Sequence, residues 1–163
     1  MLKKILIAFS MVAVLGGCIK SVPSPAACNA NYDPCAIKAP ASEIQSVQDY
    51  LTANGISATQ HCSGMFYTID APGTGAVPNI CSNITVTYTG KLTNGSTFDS
   101  ASTPIGLNLN QVITGWKDGL PLIKAGGSMH LYIPPSLGYG SNAYGPIPAN
   151  SILIFQVGLV SVQ

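Results

Sequence analysis

Charge is what this chain has least of. Only 8% of its 163 residues are Asp, Glu, Lys or Arg, and seven basic groups nearly cancel six acidic ones. A chain so sparsely and evenly charged excludes an electrostatic hold on nucleic acid or on a strongly acidic partner. Histidine is scarce as well. His61 and His130 are the only two, and neither has the neighbouring Ser/Asp or Cys/Asp pattern of nucleophilic catalysis. Both read as surface or strand histidines. Beyond the first eighteen residues no run is long and apolar enough to span a membrane. No internal repeat is visible. The glycines of Ala71-Pro-Gly-Thr-Gly75 lack the strand-to-helix setting of a phosphate loop, which excludes nucleotide binding there. There is a single tryptophan, Trp116.

What is present begins with a leader. Lys3 and Lys4 precede a run of apolar and small residues, Ile5 to Leu15, too short to cross a bilayer with ease. Leu15-Gly16-Gly17-Cys18 resembles a bacterial lipobox, in which the cysteine is acylated and becomes the new N-terminus. The other reading is an ordinary secretory signal that ends near a cysteine. Two or three acyl chains on Cys18 supply the multiple anchors that stable membrane attachment requires. The expected organisation is a lipoprotein signal peptide over 1–17, a flexible tether over 18–41 rich in Pro, Ala, Ser and Asn, and one domain over 42–163. The expected location is the bacterial cell envelope, in the periplasm or at the outer-membrane surface.

With Cys18 lipidated, Cys28, Cys35, Cys62 and Cys81 remain. An even number in an exported chain points to disulfides, and four cysteines allow three connectivities. The sequence-local pairing, Cys28–Cys35 and Cys62–Cys81, is the expectation. The rival reading, a zinc site, calls for two C-x-x-C pairs, which these spacings do not form.

Gly, Pro, Val, Ile and Thr are abundant, and apolar residues alternate in several places, so the domain reads as β-rich. A helix comes first. Ser42 with Gln45 has the spacing of a capping box, Ile44, Val47 and Leu51 make one stripe, and Asn54-Gly55 closes it. Strands follow over Gly64 to Asp70 and from Ile84, where Val86 and Tyr88 alternate with threonines. Asn94-Gly95 marks a hairpin turn into Thr97-Phe98-Asp99-Ser100. Ile105, Leu107 and Leu109 keep the strand period. Trp116, Leu120 and Ile123 then fall at i, i+4 and i+7, which puts them on one face of a short helix. Met129, Leu131 and Ile133 alternate with His130 and Tyr132. A loop from Ser136 to Asn150 carries Tyr139 and Tyr144. The last strand, Ser151 to Val162, is almost continuously apolar and is expected to be central and covered on both faces.

Five motifs occur in order: Val86-Thr-Tyr-Thr-Gly90, Thr97-Phe-Asp-Ser100, Asn110-Gln-Val-Ile-Thr-Gly-Trp116, Tyr132-Ile-Pro-Pro-Ser-Leu-Gly-Tyr-Gly140 and Ile147-Pro-Ala-Asn-Ser-Ile-Leu-Ile-Phe155. From about Gly64 to Gln163 the chain resembles FKBP-type peptidyl-prolyl cis–trans isomerases. The lipobox and the helix at Ser42 resemble bacterial cell-envelope members. The resemblance implies an α+β fold, an antiparallel sheet curled around one short α-helix, here with an extra N-terminal helix. It implies a pocket between sheet and helix with Trp116 as its floor and Tyr88, Phe98 and Phe155 as walls. Asp99 would be its charged group, and Tyr139 would offer a hydroxyl. Substrate would meet Leu107, the Gln111 carbonyl, Val112, the Ile113 N–H and Ile147.

The resemblance also implies X-Pro-containing polypeptides as substrates, macrolide immunosuppressants as candidate ligands, and no cofactor or metal. Two departures bear on preference. Many family members have an aromatic where Leu107 stands, so one wall is thinner, and the loop between Gly140 and Ile147 is short. The leading expectation is an isomerase assisting the folding of exported proteins. A binding or chaperone module of the same fold, gripping apolar or Pro-containing segments with little turnover, is the alternative.

Overall fold

The computed structural model describes Cys28 and residues 31–163. The expected signal peptide, the lipidated Cys18 and the first part of the tether lie outside the described residues. Among the described residues no helix is long and apolar enough to cross a membrane.

The chain opens with α1, Ala41–Ala53. It starts one residue before the expected capping box, and no side chain caps it. Pro40 takes the N-cap position with φ −57°, and Ser42 lies inside the first turn, its carbonyl accepting the Ser46 hydroxyl at 2.9 Å. A proline lacks an N–H and has a fixed φ, so it starts the helix without a side-chain bond. The C-terminal end is as expected: Gly55 has φ +63°, and the Ile56 N–H returns to the Leu51 carbonyl at 2.9 Å.

Six strands form one antiparallel sheet: β1 Thr59–Gln60, β2 Phe66–Ala71, β3 Asn83–Leu92, β4 Thr97–Asn108, β5 Gly127–Ile133 and β6 Leu153–Val162, in the order β1-β2-β5-β6-β3-β4. β3 and β4 are joined by the Asn94-Gly95 turn, where the Asn94 side chain accepts from the Ser96 N–H at 3.0 Å. β4 carries an irregularity: Val86 faces Ile105 while Tyr88 faces Ala101. Three residues, Ser102 to Pro104, stand there against Thr87 alone, and this two-residue excess separates the Phe98 and Asp99 end of β4 from the Leu107 end.

The short helix α2 spans Thr114–Gly119 and packs on the inner face of the sheet. It is shorter than the i, i+4, i+7 pattern implied, because Leu120–Leu122 continues as a 3-10 turn. The apolar face survives the change: Trp116, Leu120 and Ile123 are all buried. Gly115 and Gly119, four apart, turn the helix toward β5. A Cβ on Gly115 would sit 2.7 Å from Ile133 and one on Gly119 2.5 Å from Leu131. The two glycines therefore allow the helix backbone to settle into the curl of the sheet.

β6 is central, as expected, but its burial alternates. Leu153, Phe155, Val157 and Leu159 face the core, while Gln156 and Val160 are exposed. Only its start is covered on both faces, because α1 packs there. Val47 and Leu51 of α1 cluster with Phe66, Tyr132 and Ile154 on the outer side. The same contact buries Tyr132, an outward residue of β5 by its alternation.

The disulfides differ from the expected pairing. They join Cys28 to Cys81 and Cys35 to Cys62, with Cα–Cα distances of 5.5 and 5.4 Å. Closeness in sequence does not determine which Cβ atoms meet; the fold brings the N-terminal segment past the entries of β2 and β3. Both closed loops are longer than the expected ones, with separations of 53 and 27 residues. Residues 31–40 are consequently no free tether. Ala39 is buried, with its N–H donating to the Ser63 carbonyl at 2.8 Å, and Tyr32 reaches Asp118.

Candidate functional site

Four pieces of local structure converge on one cavity of about 290 Å³. β3 and β4 bring Tyr88, Phe98, Asp99 and Leu107. The 3-10 turn Leu109–Gln111 and the extended residues after it bring Gln111, Val112 and Ile113 to the entrance of α2, which carries Trp116. β6 contributes Phe155, and the long loop contributes Tyr139 and Tyr144.

The aromatic rings meet edge to face. Trp116 lies 5.3 Å from both Tyr88 and Phe155, at 85° and 82°, and Phe98 meets Phe155 at 5.4 Å and 88°. Each such pair adds about 0.5–1.5 kcal/mol beyond its area burial, and together they hold the cavity open as a rigid box. Gly90 makes this packing possible. A Cβ there would stand 2.6 Å from the Phe98 ring and 2.9 Å from Phe155. Tyr139 and Tyr144 stack flat at the rim, 4.5 Å apart and within 6° of parallel.

Polar groups are few. The Tyr88 hydroxyl donates to Asp99 Oδ2 at 2.6 Å, and Asp99 Oδ1 accepts the Ser100 N–H at 2.8 Å. Asp99 is exposed at the rim. Burial, and then the hydrogen bond and charge of Asp99, push the Tyr88 phenol up to about 12. Burial first, then Tyr144 and Asp99, push Tyr139 up as well. Both phenols are therefore neutral hydrogen-bond donors near pH 7. The Ile113 N–H makes no hydrogen bond to a described residue, while its carbonyl caps the start of α2 by accepting from Trp116 and Lys117.

All the expected pocket residues line this cavity except Ile147. It is 3% exposed and belongs to the core. Its backbone instead pairs with Tyr144, with N–H to carbonyl distances of 2.9 Å in both directions, and so fixes the loop tip. Tyr144 is the lining residue that sequence reasoning passed over. The signal was an aromatic five residues after Tyr139 in a Gly- and Pro-rich loop. Gly90 was passed over too, although a glycine inside a strand pattern marks a close approach. The histidines lie elsewhere: His130 Nδ1 is 3.0 Å from Asp70 Oδ2, and His61 Nδ1 is 2.9 Å from the Ser63 hydroxyl. Among the described residues no group of three His, Cys, Asp or Glu is placed to hold a metal ion.

Such a cavity can enclose a small apolar ring between aromatic faces and offer a main-chain donor beside it. Comparison with known proteins agrees. A family model described as FKBP-type peptidyl-prolyl cis-trans isomerase matches residues 75–160. The chain is 49% identical over 113 residues to the FKBP-type peptidyl-prolyl cis-trans isomerase FkpA of Buchnera aphidicola subsp. Schizaphis graminum, covering 67% of this chain and 44% of that one. It is 42% identical over 105 residues to the outer membrane protein MIP of Legionella longbeachae, covering 62% of this chain and 45% of that one. The chain thus spans less than half the length of these curated relatives. Among solved structures, FkpA from Escherichia coli superposes with a TM-score of 0.68 at 33% identity, covering 76% of this chain and 60% of that one.

Proposed function

Since the chain belongs to the FKBP-type peptidyl-prolyl cis–trans isomerase family, we propose that it catalyses the rotation of X-Pro peptide bonds in polypeptides, using the cavity between α2 and the sheet. The observation that carries this reading is the edge-to-face aromatic box of Tyr88, Phe98, Trp116 and Phe155, with the Ile113 N–H, unpaired among the described residues, beside it.

Rotation about a peptide bond faces a barrier of roughly 18–20 kcal/mol, because resonance keeps it planar. The two X-Pro isomers differ little in energy, so a catalyst has only to favour the twisted state. Twisting removes the C–N double-bond character and its charge separation. An apolar pocket accepts the twisted, less polarised amide more readily than the planar one. The pyrrolidine ring packs against Trp116, Tyr88, Phe98 and Phe155. The Ile113 N–H binds a substrate carbonyl and, with the Gln111 carbonyl, Val112 and Leu107, aligns the chain through the rim. Tyr139 donates its hydroxyl to the substrate, and Asp99 orients Tyr88. No proton leaves or joins the substrate, and the reaction takes no cofactor. A protease-coupled assay with an Ala-Pro or Leu-Pro peptide tests the reading: accelerated cis-to-trans conversion supports it, and an unchanged rate at saturating protein removes it.

Leu107 favours a second reading, a binding module with little turnover. It is aliphatic and half-buried, so that wall grips a ring less fully than an aromatic one. The same apolar box makes macrolide immunosuppressants candidate ligands.

The clients are exported proteins folding at the cell envelope, with the enzyme anchored through acylated Cys18. The lipobox sequence, the two disulfides, which persist in oxidising compartments, and the relative named an outer membrane protein support this placement. Intact mass of membrane-extracted protein checks it. Residues 1–17 are expected to be absent and Cys18 to carry acyl chains; an unmodified Cys18 overturns the anchor.

A further inference from the structure

Among the described residues Asp118 is the only charged side chain that is buried, at 2% exposure. It sits on α2 two residues after Trp116, so it leaves the helix on nearly the opposite side. Trp116 lines the aromatic cavity; Asp118 faces the N-terminal segment behind it. There the Tyr32 hydroxyl donates to Asp118 Oδ1 at 2.5 Å, across 86 residues of sequence. Among the described residues Asp118 Oδ2 forms no close hydrogen bond, although the Ser63 hydroxyl and His61 lie near enough to favour its charge after Tyr32. The isomerase chemistry above makes no use of either residue, yet burying a carboxylate is costly without compensation.

Two features give this contact leverage over the pocket. The first is the weakness of α2 as a helix. It has six residues, far too few to be stable alone, so its position is set by what it touches. On one side it rests through Gly115 and Gly119 on β5. On the other, its Asp118 meets Tyr32, and a cavity of about 260 Å³ opens beside that contact among Tyr32, His61, Asp118 and Pro121. The second is the anchoring of Tyr32. It lies between two half-cystines, with Cys28 bonded to Cys81 before it and Cys35 bonded to Cys62 after it. The hydroxyl is thus presented from a segment tied at both ends to the body of the domain.

We propose that Tyr32, anchored by the two disulfides, is a positioning residue: by holding Asp118 from behind, it sets where α2 places Trp116 against Tyr88 and Phe155. The consequence for turnover rests on the isomerase reading; the consequence for Trp116 does not. Because Trp116 is the only tryptophan in the chain, fluorescence excited at the red edge, where the seven tyrosines do not absorb, reports on it alone.

The test compares the full chain with Tyr32→Phe, Asp118→Leu, their combination, and Asp118→Asn, which keeps an acceptor for the Tyr32 hydroxyl. Tyr32→Phe is expected to shift Trp116 emission, raise its quenching by acrylamide and lower kcat/KM roughly five-fold, the worth of about one hydrogen bond. The combined variant should be no worse than Asp118→Leu, since both remove the same bond. Asp118→Asn should stay close to wild type. The pair Cys35→Ser with Cys62→Ser, which unties the segment at one end, should move Trp116 in the same direction as Tyr32→Phe. A Tyr32→Phe protein with wild-type Trp116 emission and quenching, altered only in melting temperature, overturns the proposal. So does Asp118→Asn departing as far as Asp118→Leu, a comparison that stands even where Tyr32→Phe fails to fold. A wild type without turnover whose Trp116 still responds to Tyr32→Phe sinks the isomerase reading and supports the positioning role. An active wild type whose Trp116 ignores Tyr32→Phe sinks the positioning role alone.

Discussion

The Tyr88 hydroxyl donates to Asp99 Oδ2 at 2.6 Å, tying the β3 wall of the pocket to its β4 rim. Asp99 is held in turn by the Ser100 N–H. The one carboxylate at the pocket is therefore committed to orienting a phenol, and the phenol is committed to staying protonated, with its pKa pushed up to about 12.

A mechanism without proton transfer follows from that arrangement. For an Ala-Pro or Leu-Pro peptide, kcat/KM is expected to stay nearly flat from roughly pH 6 to 9, where acid–base catalysis gives a bell. Asp99→Asn retains an acceptor for Tyr88 and should cost only a modest factor. A steep wild-type profile that flattens in Asp99→Asn would make Asp99 an acid or base and end the twisted-amide account.

The raised phenols also shape stability. Folded Tyr88 holds its proton more tightly than the unfolded chain, where tyrosine titrates near pH 10. Its contribution is complete below about pH 10 and is lost as pH rises through about 12. Tyr32, Tyr132 and Tyr139 shift in the same direction, chiefly through burial. Denaturant titrations should show stability falling above pH 10, less steeply in Tyr88→Phe; a stability that rises with pH over that range contradicts the assignment.

Gly90→Ala inserts a methyl group 2.6 Å from the Phe98 ring and 2.9 Å from Phe155. Overpacking of this kind costs about 1–3 kcal/mol. The rings that must move are pocket walls, so turnover should fall well beyond the share explained by unfolding. Thermal melts beside peptide assays would show it, and a stable variant with full turnover would show that the walls tolerate displacement.

Peptide mapping without reduction should recover Cys28–Cys81 and Cys35–Cys62. Replacing Cys35 and Cys62 together opens a loop of 27 residues, worth about 3.5 kcal/mol by chain entropy. Recovery of Cys28–Cys35 or Cys62–Cys81 peptides contradicts the fold of the N-terminal segment.

Much of the site was legible because its signals are local. The Thr and Val alternation around Tyr88, the Asn94-Gly95 turn and the Trp116-Leu120-Ile123 face each depend on residues a few positions apart, and each formed. Motif order then carried Asp99, Gln111, Ile113 and Phe155 to one cavity. What escaped depends on distant parts of the chain. Cys35 meets Cys62, and Tyr132 is buried, only because the N-terminal segment and α1 fold back onto the sheet. Ile147 carries a lining residue's motif but spends its side chain in the core, while its backbone holds Tyr144 at the rim. Ser42 has the right spacing for a cap, yet Pro40 starts the helix first.

Turnover of X-Pro bonds, rather than mere grip, is what the aromatic box must be shown to perform. Exchange NMR on a Leu-Pro peptide with a catalytic amount of the protein tests it without a coupling protease. Exchange cross-peaks between the cis and trans resonances are expected with the wild type. They should weaken greatly in Phe98→Ala, whose half-buried ring should cost less than the about 3–5 kcal/mol of a true core Phe→Ala. Peptide resonances that shift on binding while cis and trans fail to exchange would contradict catalysis and leave a binding module.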